Sequence, residues 1–146
     1  MSDDFLRQRL AAHLDGQGLM RMYGAELGDV GPGRAELSVP YREELTQQYG
    51  LFHGAVIGTL LDNACTGAAG TLAPDGTAVI TVEYKVNFLS PARGERLLAR
   101  ARVVKAGRTL TVATGEAFSV GADGTEDLVA TSQSTVMRIA GQPGLP

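Results

Sequence analysis

The order of hydrophobic and polar positions predicts a short helix, two strands, one long helix and then four strands. The short helix covers residues 2–15, with Ser2 as its N-cap and Gly16 after its last turn. Its apolar side chains recur on one face, at Phe5, Leu6, Leu10 and Leu14. The predicted strands have alternating or β-branched apolar residues and end at glycine or proline turns: 19–28, 33–39, 77–89, 95–106, 108–120 and 126–138.

The long helix is predicted over residues 54–72, after a loop at 41–52 that contains a turn or two of helix. Consecutive strands with short connections form antiparallel sheets, and one long helix must cover one face of such a sheet. The pattern therefore predicts an α+β fold with an antiparallel sheet wrapped around one long central helix. We divide the chain into an N-terminal amphipathic helix (1–18), a main domain (19–139) and a mobile tail (140–146).

Composition narrows the possible functions. The 146 residues suffice for one domain, and the net charge of −3 provides no basic field for nucleic acid or for an anionic membrane. The single cysteine, Cys65, forbids an internal disulfide, and with only His13 and His53 beside it we expect no metal site. The N-terminus is acidic where a signal peptide would be basic. We therefore expect a cytoplasmic protein without nucleic-acid or membrane partners.

The predicted long helix has two unlike sides, an ordinary apolar stripe and a side of small residues around Asp62. The small residues are Ala55, Gly58, Thr59, Cys65, Thr66 and Ala69. A solvated helix face normally carries long charged side chains, so we infer that this side packs against protein, most simply a second copy of the chain. Two interpretations of Asp62 stay open. It is a hydrogen-bonded or simply exposed carboxylate, or it is a catalytic acid or base.

The start of this helix offers unpaired N–H groups and a partial positive charge, and Gly54 lets a substrate approach them closely. Such a site can act as an oxyanion hole, but a plain turn in which His53 caps or packs also fits the sequence. On one helix, His53 and Asp62 differ by about 180° around the axis and about 13 Å along it. One reaction can use both only if the helix start of one subunit meets the middle of its neighbour's helix.

These residues belong to a recognisable pattern. His53-Gly54 is followed by Asp62, then by the segment VEYKVNFLSPA at 82–92 and the turn Gly107–Leu110. Over about residues 35–138, the chain resembles the hotdog-fold acyl-CoA thioesterases, in the branch named for the phenylacetate-pathway thioesterase that includes 4-hydroxybenzoyl-CoA thioesterases. The resemblance implies a hotdog fold, homodimers that join two sheets edge to edge, usually as dimers of dimers, and active sites at the dimer interface.

The resemblance also implies roles for particular residues. Asp62 corresponds to the general base or nucleophile of the family, and the Gly54 N–H to the donor that polarises the thioester carbonyl. Gln47 corresponds to a residue near the substrate or the attacking water, Thr66 to one that positions water or carboxylate, and Thr81 to a further polar position. No metal or cofactor is implied, because CoA enters as part of the substrate.

The chain departs from the family pattern at two positions near the helix start. Ala55 stands where a second glycine is common, a small change that leaves the Gly54 N–H available. Gln47 replaces the asparagine of many members, which alters the reach of that side chain. We expect His53 to shape the loop rather than to act as the base.

Basic residues at turns are candidates for binding the CoA phosphates, although each could equally be a solvated turn charge. They are Arg93, in the same turn as the substrate-binding candidate Ser90, and Lys105 and Arg108 at the bend around Gly107. The expected reaction is hydrolysis of an aromatic or medium-chain acyl-CoA. The alternatives are a hydratase or dehydratase that pairs His53 with a partner's Asp62, and a non-catalytic acyl-CoA-binding module.

Overall fold

The computed structural model describes residues 2–141, which contain three α-helices and six strands. The helices are α1 (Asp3–Gly16), α2 (Gly18–Tyr23) and α3 (Gly54–Gly70), and a short 3-10 turn covers Glu43–Leu45. The strands are β1 (Glu26–Gly31), β2 (Arg34–Pro40), β3 (Thr77–Phe88), β4 (Arg96–Ala106), β5 (Leu110–Val120) and β6 (Glu126–Ala140). Within the described range, no helix combines the length and the hydropathy that crossing a membrane requires.

The six strands form one antiparallel sheet in the order β1-β2-β4-β5-β6-β3. Helix α3 connects β2 to β3, which lies at the far edge, and it packs across the sheet against β2 to β6. The α+β prediction of a sheet wrapped around one long helix, the hotdog fold, is confirmed.

Small side chains on the inner face of the sheet let α3 lie close to it. Ala99, Ala113 and Ala117 are buried there, in the same core as Leu60 and Leu61 of α3. At Gly115 of β5 even a methyl group would be crowded, because a Cβ would lie 3.1 Å from both Leu61 Cδ2 and Cys65 Sγ. The helix therefore forms the centre of the core.

Helix α1 begins as the sequence predicts. The Ser2 hydroxyl caps it by accepting a hydrogen bond from the Phe5 N–H at 3.3 Å, which satisfies one first-turn donor. Leu6 and Leu14 are buried, whereas Phe5 lies on the exposed side. The apolar face of α1 is therefore narrower than predicted.

The predicted strand at 19–28 is wrong in its first half. Residues 18–23 form α2, with Met20 and Tyr23 buried three residues apart on one face, and the strand begins only at Glu26. The apolar residues of this short segment fit the period of a helix as well as that of a strand, and methionine favours helix. Gly24 then ends α2 in the left-handed region, at a φ of 68°.

Two predicted ends are also corrected. Helix α3 ends at Gly70 rather than at residue 72, because Leu72 and Ala73 belong to the turn that follows. The predicted mobile tail of residues 140–146 begins within ordered structure: Ala140 pairs with Thr77, and the Gly141 N–H donates to the Gly76 carbonyl at 2.8 Å. Residues 142–146 lie outside the described range.

Candidate active site

One residue in each turn of α3 faces the edge strand β3. These residues recur every four positions and all but two are glycine: Gly54, Gly58, Asp62, Thr66 and Gly70. A Cβ on Gly54 would lie 3.1 Å from the Phe88 ring, and one on Gly58 would lie 3.8 Å from Tyr84. The small residues therefore let aromatic side chains of β3 lie against the helix.

A bulge in β3 sets which strand residues reach the helix. Thr81 pairs with Val136 and Glu83 with Thr135, so Val82 is an extra residue in the ladder. Before the bulge, Thr81 points toward α3, and after it Tyr84 and Phe88 do so. The bulge therefore changes, next to Asp62, which alternate residues of β3 point toward α3.

Asp62 is held by a chain of two hydroxyl groups. The Thr81 hydroxyl donates to Asp62 Oδ1 at 2.6 Å, and the hydroxyls of Thr66 and Thr81 lie 2.9 Å apart. Thr81 has one hydroxyl hydrogen and gives it to the carboxylate, so Thr66 is the donor in the second bond. Asp62 is half-buried, and its Oδ2 accepts no hydrogen bond from residues 2–141. One carboxylate oxygen is therefore oriented by the protein while the other is available to water or substrate.

The inference that a second copy covers the small side of α3 is wrong for three of its six small residues. Gly58, Cys65 and Ala69 are buried by the chain's own sheet. Helical periodicity gives the angle between side chains but not how far a curved sheet extends around the helix. Ala55 and the half-exposed Thr59, Asp62 and Thr66 remain accessible in the single chain.

At the helix start, His53 is the N-cap. Its Nδ1 accepts a hydrogen bond from the Ala55 N–H at 2.9 Å, and its carbonyl accepts from Val56 and Ile57. The proton of a neutral His53 therefore lies on Nε2. Among residues 2–141, the Gly54 N–H meets no protein acceptor. His53 therefore caps the helix and leaves the Gly54 N–H as an open donor.

Gln47 lies in a tight loop just before the helix start. Its backbone N–H donates to the Leu51 carbonyl at 2.9 Å, and its side-chain oxygen accepts from the Tyr49 N–H. Gly50 closes the loop with a φ of 73°. The Gln47 side chain is therefore oriented locally, and its amide NH2 group is the part available to a substrate.

The turn after β3 packs beside the same helix start. The Phe52 N–H donates to the Ala92 carbonyl at 3.2 Å, which joins the turn to the loop before α3. Ser90 donates its hydroxyl to the Leu128 carbonyl at 2.7 Å and so closes the turn. Arg93 is exposed in this region.

Lys105 and Arg108 are also exposed, but they lie near the other end of β4. A strand of this length separates Arg93 from these two residues by about 30 Å. The structure therefore does not bring the three basic candidates together within one chain.

Within a single chain, the open Gly54 N–H and the Asp62 carboxylate lie far apart. Gly54 and Asp62 lie on the same continuous helix, and eight residues of helix span about 12 Å. A thioester carbonyl in contact with one cannot contact the other. Like His53 and Asp62, Gly54 and Asp62 can therefore serve one reaction only if they come from two different chains.

The remaining reactive side chain is Cys65, which is buried beneath Asp62. Burial raises the pKa of its thiol above the usual value, and the nearby Ser134 and Ser132 hydroxyls oppose this only in part. A buried thiol of this kind is inert. Across residues 2–141, no three His, Cys, Asp or Glu side chains cluster closely enough to hold a metal ion.

Sequence reasoning missed two contributors to the site. Tyr84 and Phe88 cover the glycine positions of α3, and the available signal was that Tyr84, Val86 and Phe88 alternate with polar residues. The bulge at Val82 obscured that signal, because the apolar residues on its two sides have opposite parity.

Comparison with known proteins identifies the family to which this fold and site belong. The family model of the thioesterase superfamily matches residues 49–123, so the chain belongs to that superfamily. A crystal structure of a thioesterase family protein from Silicibacter pomeroyi has a TM-score of 0.89 and 46% identity, and covers 93% of this chain and 99% of its own.

Two curated relatives are also similar. A protein of Halobacterium salinarum named as a candidate esterase is 36% identical over 109 residues, or 71% of this chain and 72% of its own length. Acyl-coenzyme A thioesterase 13 of Homo sapiens is 31% identical over 107 residues, or 72% of this chain and 76% of its own. The predictions of a hotdog thioesterase and of a thioester hydrolase are confirmed, while the acyl group is not identified by these similarities.

Proposed function

We propose that the chain hydrolyses aromatic or medium-chain acyl-CoA to a free acid and CoA, in active sites shared by two copies. The observation that carries the proposal is Asp62, with one oxygen held by Thr81 at 2.6 Å and the other without a protein donor. A half-buried carboxylate fixed in this way is suited to act on water or on an acyl carbon.

The reaction proceeds by attack on the thioester carbon. In one route Asp62 removes a proton from water as the water oxygen bonds to that carbon. The carbon–sulfur bond then breaks, and the proton passes to the sulfur of CoA. In the other route an oxygen of Asp62 bonds to that carbon as the carbon–sulfur bond breaks and CoA leaves as its thiolate. Water then hydrolyses the resulting anhydride, which releases the free acid, regenerates the Asp62 carboxylate and supplies the proton that the thiolate takes up. In both, a helix-start N–H stabilises the negative charge that develops on the carbonyl oxygen.

The donor for this charge is Gly54 of the partner subunit, because Gly54 and Asp62 of one chain are about 12 Å apart. Strand β3 supports such a dimer. It is an edge strand of twelve residues, and Val82 and Phe88 are 56% and 59% exposed. Long apolar edges are otherwise a liability, and pairing with a second copy would cover this one.

The proposal also covers the CoA phosphates, the assembly, the cellular location and the choice between hydrolysis and hydration. Arg93 at one end of the molecule, and Lys105 and Arg108 at the other, supply positive charge for the CoA phosphates. The dimers assemble in pairs. The lone thiol of Cys65 fits a reducing cytoplasm. We favour hydrolysis over hydration because Nδ1 of His53 is already engaged in the helix cap.

The decisive experiment compares the Asp62→Asn variant with the wild type on acyl-CoA, with a thiol reagent that detects free CoA. We expect kcat to fall about 10²–10⁴-fold, the usual contribution of a general base, without a change in fold or assembly. Asp127→Asn, the same exchange at an exposed position of β6, is the control and should keep full activity.

Three results would contradict the proposal. Full turnover by Asp62→Asn removes Asp62 from the chemistry. Consumption of an enoyl or hydroxyacyl substrate without release of CoA indicates a hydratase or dehydratase. Binding of acyl-CoA without any turnover by the wild type indicates a binding module.

A further inference from the structure

A cavity of about 560 Å³ lies between α1, α3 and the start of β3. The residues that matter for its chemistry are Leu6, Leu10, Ala12, His13, Thr66 and Val79. Its volume falls within the range of about 300–1,000 Å³ that is typical of small-molecule pockets. The reacting thioester group alone does not need so much space.

The cavity adjoins the Asp62 network through a shared residue. Thr66 lines the cavity and also bonds to Thr81, which holds Asp62. One helical turn separates Asp62 from Thr66, a distance of about 6 Å along the axis. An acyl chain that starts at a carbonyl carbon beside Asp62 therefore reaches the cavity within a few bonds.

The cavity wall is mostly apolar, and its two basic side chains are Arg9 and His13. The Arg9 guanidinium donates to the carbonyls of Ala73 and Thr77 at 3.2 and 3.4 Å and lies 3.6 Å from Asp75. Partial burial and the Arg9 charge lower the pKa of His13, so its imidazole is uncharged at neutral pH. Neither group offers a free charge to an anionic ligand.

Within the described residues, no phenylalanine or tyrosine ring lines the cavity. An aromatic acyl group would therefore find only the His13 imidazole to stack on, whereas a linear aliphatic chain needs only apolar area. We propose that this cavity binds a linear aliphatic acyl chain, and that α1 is the wall that sets its length. The inference rests on the proposed function, because it places the acyl part of the same substrate.

The test measures kcat/KM by CoA release for acetyl-, butyryl-, hexanoyl-, octanoyl- and benzoyl-CoA. For the wild type we expect a rise of up to about fourfold per added methylene, the equivalent of about 0.8 kcal/mol of burial. Benzoyl-CoA should be a poorer substrate than octanoyl-CoA. Equal rates along the series, or a preference for benzoyl-CoA, would overturn the inference although hydrolysis itself is intact.

Substitutions on α1 test whether this helix sets the preferred length of the acyl chain. Ala12→Leu narrows the cavity, so we expect at least a tenfold loss with octanoyl-CoA and no change with acetyl-CoA. Leu10→Ala enlarges the cavity and should move the optimum to longer chains. Ala122→Leu, the same exchange as Ala12→Leu at an exposed turn outside the cavity, should behave as wild type. An equal loss on all substrates with Ala12→Leu, or no loss, would contradict the role of α1.

Measured affinity for octanoyl-CoA distinguishes a failure of the cavity proposal from a failure of the proposed hydrolysis. Octanoyl-CoA affinity is measured on Asp62→Asn protein with and without Ala12→Leu. Weaker binding caused by Ala12→Leu supports the cavity even if turnover is slow. If the wild type turns over no acyl-CoA at all, the proposed function fails, whereas turnover with unchanged octanoyl-CoA binding in Ala12→Leu defeats only this inference.

Discussion

The hydroxyl of Thr81 joins one strand residue to two helix residues. It donates to Asp62 Oδ1 and accepts from Thr66, so it fixes the direction in which the carboxylate points. A hydrogen bond to a charged group is worth about 1.5–3 kcal/mol. We infer that Thr81 positions Asp62 rather than touching the reacting atoms itself.

Replacing Thr81 with valine keeps the shape and the β-branching of the side chain and removes only the hydroxyl. We expect kcat/KM to fall about 10–100-fold, because the carboxylate loses its fixed orientation. Thr81→Ser should restore most of the rate. The control is Thr135→Val, which removes the exposed hydrogen bond to Glu83 on the same pair of strands. Equal rates for Thr81→Val and wild type would show that Asp62 needs no positioning.

At the scale of the elements, glycine has two different roles between α3 and the sheet. At some positions a larger side chain would clash, and at others it would fit. At Gly115 of β5 an added Cβ would lie 2.9 Å from Ser132 Oγ. At Gly58 of α3 the nearest contact would be Tyr84 at 3.8 Å, an ordinary van der Waals distance. The two glycines therefore differ in function although both are buried.

Alanine at these two positions should change stability in opposite directions. Gly58→Ala reduces the entropy cost of forming the helix, so we expect a gain of about 0.5–1 kcal/mol. Gly115→Ala overpacks the core and should cost about 1–3 kcal/mol. Thermal unfolding at one fixed protein concentration checks both. A lower Tm for Gly58→Ala would mean that Tyr84 packs too tightly against α3 to accept a methyl group.

The sequence was sufficient to predict α3, its apolar stripe, and the positions of Asp62 and Gly54, because each depends on local period and local chemistry. It was not sufficient for α2, where six residues fit helix and strand alike. The contact between Asp62 and Thr81 depends on the bulge at Val82, which no local pattern indicates. The extent to which the sheet surrounds α3 is likewise a property of all six strands together.

For the whole molecule, the proposed dimer pairs the edge strand β3 with the same strand of a second copy. Strands paired across a twofold axis run antiparallel, so the helix start of one copy lies toward the helix end of the other. The Asp62 network contacts Thr81, and Gly54 lies against Phe88. A register that places Phe88 of the partner subunit opposite Thr81 brings the two together, and its centre lies between Tyr84 and Lys85. The same pairing brings Arg93 of one copy toward the end of the other that carries Lys105 and Arg108.

Proline at position 54 removes the N–H without breaking the helix, but its Cβ lies 3.1 Å from the exposed Phe88 ring, which has to shift. Gly54→Ala makes the same contact and keeps the N–H, so it is the steric control. Gly54 is the first helical residue, where proline is well accepted, and His53 has the extended conformation that precedes proline. Gly54→Pro should therefore fold and assemble while kcat falls about 10²–10³-fold, as on loss of one oxyanion donor. On its own this variant, like Asp62→Asn, should have little activity, and the two together reveal which chains contribute to one site.

In a mixed dimer of Asp62→Asn and Gly54→Pro chains, one site combines both changes, whereas the other combines an intact Asp62 with an intact Gly54. Random pairing of equal amounts makes half of the dimers mixed, so co-expression should recover about a quarter of the wild-type activity. Mixing the two purified homodimers without subunit exchange should recover none. A site built within one chain predicts no recovery under either condition, because every chain then lacks either the acid or the donor. Persistent inactivity of a mixed dimer whose assembly is verified by differential tags would therefore exclude the shared site.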